Sequence, residues 1–347
     1  MSSRSSSRVA EKEAIMSDES EEHAETNLLG ELSELGNAIK PLLRRLPGAT
    51  KAINRLTGGL AGAGTQALAS RLYRYRTDNL VTEAQKVADA TGLPAPVVFD
   101  KLVRQRRIDE FTMDALRRLG DNIDVEDQDA TDAAESDNKK TTDRWFHTFY
   151  EEASAVDEED VREAFVRILA GEIQAPGSFS VRTLRVMRAV SQSAARHFRR
   201  AASVSIQLTL DGKHIIDARI PAVGGQLGQN CLQGEGLSYD VLTDMTENGL
   251  LHTDYRSYHP YGPLELHSNA QSLLPPNVQI PFVHQSAMWM LMPKENPQQA
   301  KPVRVSGAKM TSCGVELLKI VDIEPLPDFT AKLVGHFSQS GYQMVRS

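Results

Sequence analysis

Between Asp143 and Pro221 the hydrophobic period switches from helical to alternating with no linker between, and that switch restricts the chain to a mixed α+β fold more than any other feature. Trp145, Phe149 and Ala153 recur at four-residue steps and predict one helix face. Asp157 then reads as an N-cap, followed by Glu158, Glu159 and Asp160 in the first turn, where carboxylates suit the helix dipole. Val156 and Val161 are placed for a hydrophobic staple, and Val161, Ala164, Phe165, Ile168 and Leu169 continue the apolar stripe. Pro176-Gly177 breaks it. Ser178 or Ser180 caps the next helix, with Val181, Leu184, Met187 and Val190 inward, and Ser191 or Ser193 starts a third. Residues 204–220 alternate around Asp211-Gly212, a hairpin pattern, although an apolar-in helix competes for 198–208.

Helical periodicity also precedes this stretch. Leu28, Leu32, Leu35, Ile39, Leu42 and Leu43 lie on one face; 77–92 reads as a helix stopped by Gly92; Pro94–Leu119 reads as one helix or a pair, with Gly120 as a C-cap. Downstream, helices are expected over Ser238–Asn248, Thr311–Val321 and Phe329–Ser340, with strands and Pro/Gly loops over 250–292 and a strand-like tail after Gly341. The expected class is α+β, mainly α: N-terminal and central helices, then a C-terminal module whose element order is winged-helix-like. The expected divisions are a disordered acidic tail (1–26), an N-terminal helical region (27–120), an acidic flexible linker (121–140), a central helical core (141–203) and the C-terminal α+β module (204–347).

Charge is segregated along the chain. Glu11–Gly36 holds nine carboxylates and one Lys; Asn37–Thr77 holds eight Lys/Arg and no carboxylate; Asp121–Asn138 holds eight carboxylates and no base; Ile173–Leu210 holds six Arg and no carboxylate. Acidic runs poor in apolar residues cannot offset the entropy of ordering, hence the tail and linker. A net charge of −7 excludes a globally basic nucleic-acid binder but leaves local patches open. No run of eighteen apolar residues exists, so no transmembrane helix is expected, and the first twenty residues lack the apolar core of a secretory signal. Met16 stands as an alternative start. Two cysteines, Cys231 and Cys313, cannot staple 347 residues and fit a reducing, cytoplasmic setting.

The stretch from Trp145 to Met187 carries a resemblance. Trp145 and Phe149, then Val156-Asp157-Glu158-Glu159, Ile168-Leu169-Ala170-Gly171-Glu172, Pro176-Gly177-Ser178-Phe179-Ser180 and Arg182-Thr183-Leu184 resemble the signature of a bacterial family of uncharacterised proteins. Gly236-Leu237-Ser238-Tyr239, Asn248-Gly249-Leu250 and the Thr311, Gly314, Glu316, Leu317 element are similar as well, though Thr311-Ser312-Cys313-Gly314 departs from the family's T-K-A-G. The helical half more distantly resembles abortive-infection alpha proteins of phage defence. The resemblance implies structural roles for Trp145, Phe149, Asp157, Phe165, Leu169, Gly171, Glu172, Pro176, Gly177, Ser178, Phe179, Ser180 and Leu184, and it implies no catalytic residues or cofactor.

Of the chemistry-bearing groups, the arginines stand out. Arg182, Arg185 and Arg188 recur every three residues, and with Arg196, Arg199 and Arg200 they form a carboxylate-free basic surface. Such a surface suits nucleic-acid phosphate or an acidic protein; pairing with the 121–138 linker or the Asp157 helix is the structural alternative. Glu158, Glu159, Asp160 and Glu163 read as helix capping rather than chemistry. Gly171–Ser180 reads as a helix–helix turn, with a phosphate cradle as the functional alternative. Residues 40–76 combine cations with a small Ala-rich apolar face, which leaves peripheral membrane contact open. His252, His259 and His267 lack zinc spacing, Tyr255, Tyr258 and Tyr261 read as sheet-edge cover, and no nucleophile elbow, Walker motif or metal triad is present. The reading is a cytoplasmic, non-enzymatic interaction or regulatory protein with a defence role in view, partnered by a protein or by nucleic acid, with neither cofactor nor metal.

Overall fold

The structure, a computed structural model, describes residues 55–56, 80–121, 141–209, 215–261, 281–294 and 303–346. The tail, most of 40–76 and the acidic linker read from the sequence lie outside these residues. Two compact units divide at Ser178/Phe179, inside the stretch read as a single central core (141–203). Amphipathic helices look alike in sequence whether they pack on helices or on a sheet, so periodicity could not locate that division.

The first unit is helical: α1 (Leu80–Thr91), α2 (Ala95–Asp121), α3 (Asp143–Ala153) and α4 (Glu159–Gln174). Gly92 ends α1 with φ +71, its N–H donating to the Ala88 carbonyl at 2.8 Å, a glycine stop of the expected kind. The 94–119 stretch is one helix, and it runs through Gly120 to Asp121 rather than capping there. Its Phe111 meets Phe149 and Phe165 edge-on at 6.3 and 6.4 Å, and Trp145 stacks on Phe149 at 5.3 Å. With Leu169 these aromatics are buried, so Trp145, Phe149, Phe165 and Leu169 form the core of this unit. Asp157 does not cap α4: Glu158 occupies the N-cap position, while Asp157 Oδ1 accepts from Arg107 at 2.5 Å. A guanidinium on α2 draws that carboxylate away from the helix end.

The second unit is α+β. It comprises α5 (Val181–Ala189), α6 (Gln192–Val204), β1 (Ile206–Thr209), β2 (Ile215–Pro221), α7 (Tyr239–Glu247), β3 (Tyr258–Tyr261), β4 (Pro281–His284), β5 (Ala287–Pro293), β6 (Val303–Lys309), α8 (Ser312–Leu317), α9 (Pro327–Gln339) and β7 (Tyr342–Arg346). Ser180, Ser191, Ser238 and Thr311 cap α5, α6, α7 and α8 through side-chain oxygens. The seven strands form a single sheet in the order β3-β6-β2-β1-β4-β5-β7, every neighbouring pair antiparallel. β1 and β2 make the expected hairpin, and α6 passes into β1 through Ser205 alone, so the helix competing for 198–208 ends at Val204. Helix α9 covers the β4 end of the sheet, where Phe337 lies 5.9 Å from Phe282 and Phe329 lies 5.9 Å from His284. The class is α+β, mainly helical, as expected. The sheet has seven strands among the described residues and does not confirm the winged-helix likeness.

His284 sits beneath α9 with no exposure, its Nδ1 2.9 Å from the Ser205 carbonyl and its Nε2 3.0 Å from Thr330 Oγ1. Burial lowers its pKa below the ordinary value, and burial lowers His259 and His336 likewise. The unfolded chain therefore binds these protons more readily than the folded one. Their stabilisation is present above the ordinary histidine value of about 6.5 and is lost as pH falls below it, by up to about 1.4 kcal/mol per pH unit for buried His284. Urea midpoints at neutral pH and near pH 5.5 check this; an unchanged midpoint would contradict it.

Candidate arginine surface

Helices α5 and α6 each turn one stripe inward. Thr183, Leu184 and Met187 are buried on α5, and Ala194, Phe198, Ala201 and Ala202 on α6. This fixes the opposite positions: Arg182, Arg185, Arg188, Arg196 and Arg199 are all exposed. Among the described residues none of these five has a hydrogen-bond or ion-pair partner. On α5 the three guanidinium stems step about 4.5 Å along the axis and span roughly a third of its circumference.

Arg200 departs from the expected surface. Its Nε donates to the Glu235 carbonyl at 2.8 Å, Nη2 lies 3.6 Å from Glu235 Oε2, and Nη1 lies 3.9 Å from Glu324 Oε2. Glu235 is shared with Lys332 at 2.6 Å. A half-buried arginine among its own chain's carboxylates is a strut, and no local signal tells it from Arg199 beside it. It forms one wall of a recess of about 420 Å³ that Arg196, His197, Gly234, Glu235 and Gly236 also line. His197 Nδ1 is buried there without a hydrogen-bond partner, 3.5 Å from Asp244 Oδ2, which is long for a hydrogen bond.

The other sequence-marked residues are structural. Buried Glu172 accepts from the Gly177 N–H and from the Thr141 hydroxyl, both at 2.6 Å, and so clamps the Pro176-Gly177 turn in the first unit. Gly177 takes φ +83 there. In the second unit Glu316 Oε2 accepts from the Ser180 N–H at 2.6 Å and from Thr183 Oγ1 at 2.5 Å. The carboxylate thus sits at the start of α5, where the dipole favours it. In each unit, then, the backbone N–H read as a candidate phosphate donor already has a carboxylate acceptor, Glu172 for Gly177 and Glu316 for Ser180. Phe179 is buried, with Lys319 Nζ 5.7 Å from its ring. Ser178 donates its N–H to the Ala175 carbonyl at 3.2 Å, and the Gly171 carbonyl accepts the C-cap N–H of Ala175 at 2.9 Å, closing α4.

Sequence reasoning missed a buried ion pair on β2. Arg219 and Asp217 are each 2% exposed; Nε to Oδ2 is 2.6 Å and Nη2 to Oδ1 is 2.9 Å. Arg219 Nη1 donates to the Ser257 and Val305 carbonyls, both at 3.0 Å. Asp217 is held below its ordinary pKa by Arg219 despite burial, which pushes the other way. The guanidinium is spent on its own chain, so this pair joins strands rather than binding a ligand. Charged residues two apart in a strand share a face, the one signal that could have found it. Among the described residues no group of three His, Cys, Asp or Glu side chains could hold a metal, and no helix is long and apolar enough to cross a membrane.

An α+β chain with an exposed arginine stripe on the helices that lead into an antiparallel sheet is the class these features define. The chain belongs to the family described as protein of unknown function (DUF2806), whose model matches residues 105–334. No curated protein and no solved structure matches it.

Proposed function

We propose that this chain is a non-enzymatic regulatory protein that works by contact, and that the exposed arginines of α5 and α6 bind the phosphate backbone of a nucleic acid without reading its sequence. The observation that carries this reading is that Arg182, Arg185, Arg188, Arg196 and Arg199 are exposed and have no partner among the described residues. Phosphate contacts of this kind supply affinity and register but no base discrimination. Both cysteines being free fits an intracellular setting. The likeness of the helical half to abortive-infection alpha proteins carries a phage-defence role into the same reading; peripheral membrane contact through 40–76 is its rival and rests on composition alone.

The test is fluorescence anisotropy with a labelled DNA duplex at low salt. The Arg185→Glu/Arg188→Glu variant is expected to bind at least about tenfold more weakly than the parent, because two attractions become repulsions. Both positions are exposed, so its thermal midpoint should stay within a few degrees. Equal affinity in a folded variant, or no binding by the parent, rejects the reading.

A further inference from the structure

A second cavity lies in the same unit, under the tip of the β4–β5 hairpin, and it has a different chemistry. It measures about 500 Å³ and is walled by Trp289, Ile323, Pro325 and Pro327, with His284, Gln285, Thr330 and Arg346 as its polar lining. That size and an apolar wall with few polar groups are what small-molecule sites have.

Three features of the wall are fixed in advance. The two-residue turn between His284 and Ala287 places Gln285 at φ 49 and Ser286 at φ 59, left-handed positions that such turns normally give to Asn or Gly. Holding two other residues there costs free energy, and strain of this kind collects at binding sites. The turned Gln285 reads the Leu326 backbone twice: its Nε2 donates to the Leu326 carbonyl at 3.2 Å, and its Oε1 accepts from the Leu326 N–H at 3.0 Å. That clamp holds the Pro325–Pro327 wall. Trp289 spends its Nε1–H on the His284 carbonyl at 3.3 Å, which fixes the indole and leaves its ring face for contact.

The polar groups then select the ligand. The Ser205 carbonyl can only accept, so His284 Nδ1 carries the hydrogen, and the single Thr330 hydroxyl hydrogen faces two acceptors, His284 Nε2 at 3.0 Å and the Leu326 carbonyl at 3.3 Å. Thr330 has no hydrogen left to give, and any bond it makes to a ligand is as acceptor. Arg346 pairs in register with Trp289 across β5 and β7, is exposed, and has no partner among the described residues. From these groups we infer that the cavity binds a small planar aromatic carboxylate bearing a hydroxyl or amine at its far end, with the ring on Trp289, the carboxylate on Arg346 and the donor on Thr330.

The probe is 6-hydroxy-2-naphthoate, titrated into the full chain by its own fluorescence, with 2-naphthol as the analogue lacking a carboxylate. The expected result is saturable binding of the acid, at least tenfold tighter than 2-naphthol. Arg346→Ala should abolish that preference and Arg346→Lys should retain part of it. Trp289→Leu should weaken both ligands. Arg185→Glu/Arg188→Glu should leave the titration unchanged, which separates this site from the arginine surface. No saturable binding of the acid, or equal affinity for the acid in the parent and a folded Arg346→Ala, overturns the inference.

Discussion

Gly307→Ala is expected to leave the second unit unfolded or nearly so. Gly307 lies in β6 opposite Pro221 of β2, with φ +154, a conformation that L side chains rarely adopt. A Cβ there would stand 2.0 Å from the Ile220 carbonyl oxygen and 2.9 Å from its carbon. Both atoms are backbone in a central strand, so no rotamer change relieves the overlap. β2 would have to move, yet it is paired on both sides, with β1 and with β6. The loss should exceed about 4 kcal/mol, the range in which point variants cease to fold. Gly335→Ala in α9 is the matched contrast. An added Cβ there meets nothing within 4 Å, and the change should stabilise by about 1 kcal/mol through helix propensity. Urea denaturation of the two variants should give opposite signs; comparable stability for both would contradict the strand packing described.

The Asp217–Arg219 pair carries the second large effect. Arg219→Met leaves a carboxylate buried in the sheet without its bidentate partner and frees two carbonyls, of Ser257 and Val305. Breaking a buried pair from one side costs about 3–5 kcal/mol, because the remaining charge keeps its desolvation penalty. Asp217→Leu alone should cost a similar amount by orphaning the guanidinium. The double variant Asp217→Leu/Arg219→Met should recover much of the loss, since no charge stays buried, though the two carbonyls still cost about 1–3 kcal/mol each. Denaturant midpoints for the four chains close the cycle. Additive losses would show that the two side chains stabilise independently, against the geometry here.

What the sequence disclosed was local. Ser180, Ser191, Ser238 and Thr311 sit where caps are needed, and the three-and-four spacing placed Phe149, Phe165 and Leu184 inward, where they lie. Glycine stops at Gly92 and Gly341 were equally legible, because a positive φ leaves a residue signature. What it withheld was pairing across distance. Nothing in the chain near Ser180 announces Glu316, and nothing near Arg200 announces Glu235 or Glu324. β1 joins β4 through Gln207–Val283 and Leu208–Phe282, a register set by the buried Leu208–Phe282 face rather than by a local turn. Even the cap of α4 was lost to such a contact, since Arg107 on another helix decides where Asp157 points. The arginine stripe was legible for the opposite reason. Arg182, Arg185 and Arg188 are defined by what the buried stripe of their own helix leaves outside.

The salt dependence of DNA binding tests that stripe most directly. If five guanidinium groups each displace a counterion, log Kobs should fall against log salt with a slope on the order of −4, and Arg185→Glu/Arg188→Glu should flatten it by about 2. A slope near zero, or one identical in parent and variant, would contradict the account, because affinity would then come from some other part of the chain.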